Sequence, residues 1–177
     1  MQRKLHIGGV IASPGWEVFN VTPGDYVDHL GDASDLSRFA DETFGTLYAS
    51  HILEHFDYRD QLLAVLREWW RVLQPGGEIY ISVPDMATLC HFFLARDRVD
   101  INDRFQVMRM MFGGHMDPYD YHLIGFDQDI LVDYLLAAGF GEFRRVSEFG
   151  FFDDASRYRF QNQLISLNLI ARKPGGA

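Results

Sequence analysis

Short apolar runs separated by turn signals dominate the first third of the chain. Lys4-Leu5-His6-Ile7 stops at Gly8-Gly9, and Glu17-Val18-Phe19-Asn20-Val21 lies between Pro14-Gly15 and Pro23-Gly24. Both read as strands, because the runs are brief and the flanking residues favour turns. Tyr26–Leu30, ending at Gly31-Asp32, reads as a third strand, and Thr46–Ser50, just before His51, as a fourth. The periodicity then changes. Leu62, Leu63, Leu66, Trp69, Trp70 and Leu73 recur every three or four residues and define one apolar helix face. Asp57 and Asp60 stand where carboxylates favour a helix N-terminus, and Pro75-Gly76-Gly77 closes the helix.

Glu78–Val83 predicts a fifth strand, stopped by Pro84-Asp85. Residues 86–126 form an insertion with two helical pieces, one carrying Leu89, Phe92, Phe93 and Leu94, the other Val107, Met108, Met110, Met111 and Phe112. The methionines read as packing. A further helix runs from Asp127, its cap, to Ala138 and Gly139. Two last strands are expected near 141–148 and 163–172, before a frayed tail, Pro174-Gly175-Gly176-Ala177. Alternating strands and helices imply an α/β fold with a mostly parallel sheet covered on both faces. The final two strands have no helix between them, so they should pair antiparallel at the sheet edge. One domain, residues 1–177, accommodates all of this.

Composition narrows the function classes. With 177 residues, 47% apolar and 15% aromatic, the chain can bury a core without metals or disulfides. A net charge of -9 and the lack of any basic stripe beyond Arg144-Arg145 argue against a nucleic-acid partner. No run has the length of a membrane span or a signal-peptide core, so no membrane partner and a cytoplasmic location are expected. Cys90, the single cysteine, sits in the apolar run Leu89–Phe93 and reads as a buried small hydrophobe.

In an open α/β sheet ligands bind beyond the carboxyl ends of the strands. That rule nominates Gly8-Gly9, Val21-Thr22, Asp32-Ala33, Ser50-His51 and Pro84-Asp85. Four segments, Leu5–Gly9, Gly31–Leu36, Tyr48–Phe56 and Arg71–Gly77, resemble the successive motifs of class I S-adenosylmethionine-dependent methyltransferases of the type-11 branch, in order and spacing. The resemblance implies a Rossmann-like fold with one antiparallel terminal strand, S-adenosyl-L-methionine as cofactor, and methyl transfer to a small-molecule or sugar acceptor.

It also implies roles. Gly8 and Gly9 would admit the cofactor's amino-acid part, Asp32 and the Ala33 N–H would meet the adenine, Thr22 the ribose, and Ser50 the methionine end. Three positions depart from the pattern. Val10 stands in place of a glycine, Asn20-Val21-Thr22 in place of an acidic residue, and Gly45 in place of an aspartate. Losing a bidentate acceptor for the ribose would cost about 1–3 kcal/mol. A second reading follows from those departures, namely a non-catalytic scaffold with an eroded pocket. A nicotinamide enzyme is disfavoured, since Gly8-Gly9-Val10 lacks the G-x-G-x-x-G spacing.

His51 and His122 are the candidate catalytic residues. His51 follows the fourth strand, and His122 ends the polar and aromatic stretch His115–His122, read as a substrate-side loop. His55 reads as a loop brace that hydrogen-bonds a nearby carbonyl. No metal site is expected, because Pro118 interrupts any regular ligand face in that stretch and no second ligand cluster accompanies it.

Overall fold

The computed structural model describes residues 2–176; Met1 and Ala177, the last residue of the expected tail, lie outside them. Its frame is a parallel set, β1 (Lys4–Ile7), β2 (Glu17–Asn20), β3 (His29–Leu30), β4 (Phe44–Ser50) and β5 (Leu73–Pro84). β6 (Gly141–Val146) follows, then a separate small hairpin of β7 (Arg159–Phe160) and β8 (Gln163–Leu164), then β9 (Ser166–Arg172). The seven-stranded order is β3-β2-β1-β4-β5-β9-β6. Only β9 runs against its neighbours, pairing antiparallel with both β5 and β6. The expected terminal pair therefore exists, with β9 inside it and β6 at the edge. Gln163 and Leu164 belong to the hairpin and not to the last strand.

Helix α1 (Leu62–Val72) buries Leu62, Val65, Leu66, Trp69 and Val72 against the sheet. It ends earlier than the apolar period suggests. Leu73 is already extended at φ -81°, ψ 137°, and β5 begins there, running through Pro75-Gly76-Gly77. Pro75 explains this, since it lacks an N–H and drives its predecessor out of the helical region. Nor does Asp57 cap α1: its Oδ1 accepts from Arg59 N at 2.8 Å, bracing the preceding turn. The lower end of α1 is closed by a residue far along the chain. Lys173, 3% exposed, donates from Nζ to Trp70 O at 3.0 Å and Leu73 O at 2.8 Å, and sits 3.8 Å from the Trp70 ring centroid.

Helix α4 (Gln128–Ala138) packs beside α1. Asp127 Oδ1 accepts from Ile130 N at 2.9 Å, and Gly139 leaves the helix at φ +106°, as the sequence implies. Helices α2 (Met86–Leu94) and α3 (Ile101–Phe112) pack on each other with a core of their own built on Leu89, Phe92, Val99, Val107, Phe160 and Ile165. Asp85 caps α2 and also accepts from Arg145 Nη2 at 2.7 Å. Cys90 is exposed, contrary to the sequence reading. The helical phase that turns Leu89 and Phe92 inward turns Cys90 out.

Both faces of the sheet are covered, but among the described residues the cover of the second is not helical. The face of Leu5, Leu47, Ile79 and Leu169 packs with α1 and α4 in one core. The opposite face, with His6, Tyr48 and Tyr80, is covered by aromatic residues of loops, Trp16, Phe149, Phe151 and Phe152. Residues 8–16, which join β1 to β2, are too few for the usual helical crossover. Among the described residues no helix is long and apolar enough to cross a membrane.

Candidate functional site

Strand order reverses on either side of β1, and the chain opens a cavity of about 460 Å³ there. Its floor comes from the strand ends: Gly8 after β1, Asn20 and Val21 at the end of β2, and Gly31–Ser34 after β3. Its far wall comes from Ile52, His55 and Phe56 after β4 and from Pro118, Tyr119, Tyr121 and Leu123 of the insertion. Most of these side chains are apolar or aromatic, with few polar groups between them, which suits a small organic ligand.

Gly8 turns the chain at φ +72° while its N–H donates to Phe19 O at 2.7 Å. A methyl group at Gly8 would overlap the Ile52 side chain, so glycine is needed twice over. Gly9 does not line the cavity. A Cβ there would strike the His6 ring, and its carbonyl accepts from Asn20 Nδ2 at 2.8 Å. Asn20 Oδ1 in turn accepts from Thr22 N at 2.8 Å. Asn20 thus braces both loops, and it, not the exposed Thr22, reaches the cavity.

Asp32 Oδ1 accepts from Ser34 N at 2.8 Å and Ser34 Oγ at 2.7 Å, the geometry of a turn. Its Oδ2 accepts no hydrogen bond from the described residues. Trp69 Nε1 donates to Ala33 O at 2.8 Å, tying this loop to the buried helix.

Ser50 and His51 lie past the cavity, not in its lining. The Ser50 hydroxyl is buried without a hydrogen-bond partner among the described residues. His51 takes φ +55°, unusual for a residue with a Cβ, and its N–H donates to Ser82 O at 2.8 Å. Its ring is held at one end, with Nε2 3.0 Å from Ser166 Oγ, while Nδ1 comes to 3.3 Å from Glu54 Oε1. Burial alone would push the Glu54 carboxyl up, but the His51, His55 and His122 rings hold it below the usual carboxylate range. His122 lies behind the wall, its ring centroid 5.0 Å from that of His55, and burial holds its imidazole below the ordinary histidine value. His55 Nδ1 meets Tyr121 O at 3.1 Å, the brace the sequence suggests.

The cavity therefore gathers Gly8, Val21, Asp32 and Ala33 of the nominated residues and leaves out Gly9, Thr22, Ser50, His51, Pro84, Asp85 and His122. It adds Asn20, Phe56, Tyr119 and Tyr121. Tyr119 and Tyr121 both precede the position favoured in their loop, His122. Their order along the loop could not tell which of them faces inward.

Residues 19–81 match the family model described as a methyltransferase domain. No curated protein matches in sequence. Solved structures do resemble the chain. A SAM-dependent methyltransferase from Methanosarcina mazei aligns at 19% identity and TM-score 0.60, over 99% of this chain and 93% of that one. A 1,6-didemethyltoxoflavin-N1-methyltransferase from Burkholderia thailandensis, with bound 1,6-didemethyltoxoflavin and S-adenosylhomocysteine, aligns at 16% and 0.59, over 98% and 72%. A possible exported protein from Bordetella parapertussis aligns at 18% and 0.58 over 98% of this chain, which spans 62% of its length.

Proposed function

We propose that the chain, which matches a methyltransferase-domain model over residues 19–81 and shares the fold of a SAM-dependent methyltransferase over nearly its whole length, is a class I S-adenosylmethionine-dependent methyltransferase and transfers a methyl group to a small-molecule acceptor. The observation that carries the reading is the cavity at the strand-order reversal, with Gly8, Asn20 and Asp32 at successive strand ends.

The residues present fit the cofactor at most points. The turn at Gly8 leaves backbone, with no side chain, beside the methionine portion. Asp32 Oδ2 is free to accept from the adenine amine, while Oδ1 fixes its own loop. Asn20 stands where an acidic residue would take both ribose hydroxyls. One lone pair of its Oδ1 is committed to Thr22 N, so it offers one acceptor where a carboxylate offers more. The bound cofactor supplies an electrophilic methyl group on a sulfonium.

The protein's share is alignment and exclusion of water. Tyr119, Tyr121, Phe56 and Leu123 close the cavity on the acceptor side, and an in-line displacement gains most from a held geometry. His51 and His122 serve this scheme as positioning residues, since Ser166 holds the first and the second stands behind His55. An acceptor small enough for this space, and the net charge of -9, speak for a metabolite or sugar and not a nucleic acid.

Calorimetric titration with S-adenosylmethionine and S-adenosylhomocysteine tests the proposal. Saturable binding is expected, weakened about tenfold in Asp32→Ala, as one lost hydrogen bond would give. Absence of heat and of any rise in melting temperature at about millimolar ligand would favour the scaffold reading.

A further inference from the structure

Behind the cavity wall, three groups with metal-binding chemistry arrive from two distant segments. Glu54 and His55 belong to the single 3-10 turn Leu53–His55 after β4, and His122 to the stretch after α3. A carboxylate oxygen of Glu54 and one ring nitrogen of each histidine lie within 4.8 Å of one another. Glu54 is 1% exposed, and neither of its carboxylate oxygens accepts a hydrogen bond from the described residues. The nearest approach, from His51 Nδ1 at 3.3 Å, misses hydrogen-bond geometry. A buried carboxylate left so is costly, and such groups either neutralise or find a cation.

The surroundings fix the ring tautomers. His55 Nδ1 lies 3.1 Å from Tyr121 O, and His122 Nδ1 lies 3.3 Å from Met111 O. A carbonyl oxygen only accepts, so Nδ1 carries the proton in both rings and Nε2 keeps its lone pair. Metal-bound histidines characteristically donate their second nitrogen to a carbonyl in this way. The frame exists without an ion, because Leu123 N–H donates to Glu54 O at 2.7 Å and joins the two segments.

We propose that Glu54, His55 and His122 bind one divalent transition-metal ion of the zinc type at the cavity wall, each histidine through Nε2. Two imidazoles and one carboxylate suit such an ion and leave at least one position for water or another oxygen. Bonds of about 2.0–2.1 Å put tetrahedral ligand atoms roughly 3.3 Å apart, so the three side chains close in on the ion when it binds. Since His55 also lines the cavity, the ion sits where an acceptor's oxygen can reach it. The site requires no S-adenosylmethionine, so its test is separate from that of the methyl-transfer reading.

After chelator treatment and dialysis, the full chain is titrated with zinc chloride by calorimetry, and bound zinc per chain is counted by atomic absorption. One ion per chain is expected. Loss of a hydrogen-bond partner to a ligating side chain alone weakens metal sites about 10–100-fold, so His122→Gln and His55→Gln should each weaken zinc at least about 100-fold. His91→Ala, in α2, should bind as the unaltered protein does. Failure of the unaltered protein to bind zinc, or undiminished binding by the two glutamine variants, overturns the proposal. Should one variant lose its circular dichroism signal, the other decides. Should both lose it, the cobalt(II) form of the unaltered protein decides: visible ligand-field bands support the site and their absence overturns it.

Discussion

Acid should destabilise this fold through one buried imidazole, His6. Its residue is 3% exposed, its ring lies 4.1 Å from Phe152 and 4.9 Å from Tyr48 centroid to centroid, and Nδ1 has no hydrogen-bond partner among the described residues. Burial pushes its pKa from the ordinary 6.5 down to about 4, outweighing the pull of the Asp154 carboxylate. In the unfolded chain the ring protonates below its ordinary value, while in the folded protein it stays neutral until about pH 4. Over that window the unfolded state binds more protons, so stability falls as pH falls and is fully retained above the window.

The shift corresponds to about 3 kcal/mol in full, of which roughly 2 kcal/mol is lost between about pH 7.5 and about pH 5. Glu17 acts lower, because the hydrogen bond from Arg3 above all holds it at about 2, and its contribution fades only below the ordinary carboxylate value. The assay is urea unfolding across this range for the unaltered protein and for His6→Phe, which keeps the ring contacts and removes the titration. The gap between the two curves should open by roughly 2 kcal/mol in favour of phenylalanine at the acid end. Parallel curves would refute the reasoning, whatever the absolute stabilities.

Other expectations are as direct. Gly8→Ala places a β-carbon at φ +72° against Ile52, so it should cost about 1–2 kcal/mol in backbone strain and weaken S-adenosylhomocysteine at least about tenfold by calorimetry. Lys173→Met removes the Nζ bonds to Trp70 O and Leu73 O, and should lower stability by about 2–3 kcal/mol in denaturant titration. Asp85→Ala deletes the α2 cap and the Arg145 partner at once, a loss of roughly 2–3 kcal/mol by the same measurement.

The sequence made the fold legible where local chemistry and topology agree. Strands bounded by glycine and proline, the helix carrying Leu66 and Trp69, the Asp127 cap and the antiparallel close all follow from residue type and spacing. Lys173 at the end of α1 did not, because a lysine beside a tail carries no local mark of burial. The early exit of α1 at Val72 was legible in Pro75 but masked by the apolar Leu73. The non-helical cover of the second sheet face was hidden too, since most of the aromatic residues that supply it lie more than a hundred residues beyond β1 in sequence.

The site divides in the same way. Gly8 and Asp32 were readable because they follow strand ends, while Tyr119 and Tyr121 reach the cavity only through the fold of the insertion. His122 looked isolated within its loop. Its companions Glu54 and His55 stand on another element, and no spacing rule links residues so far apart.

A crystal structure with S-adenosylhomocysteine soaked or co-crystallised would test the account most directly. The nucleoside should occupy the space between Gly8, Asp32 and Tyr121, with its adenine amine on Asp32 Oδ2 and a ribose hydroxyl at Asn20. A ligand found elsewhere on the chain, or a cavity left vacant at saturating ligand, would contradict the proposed function.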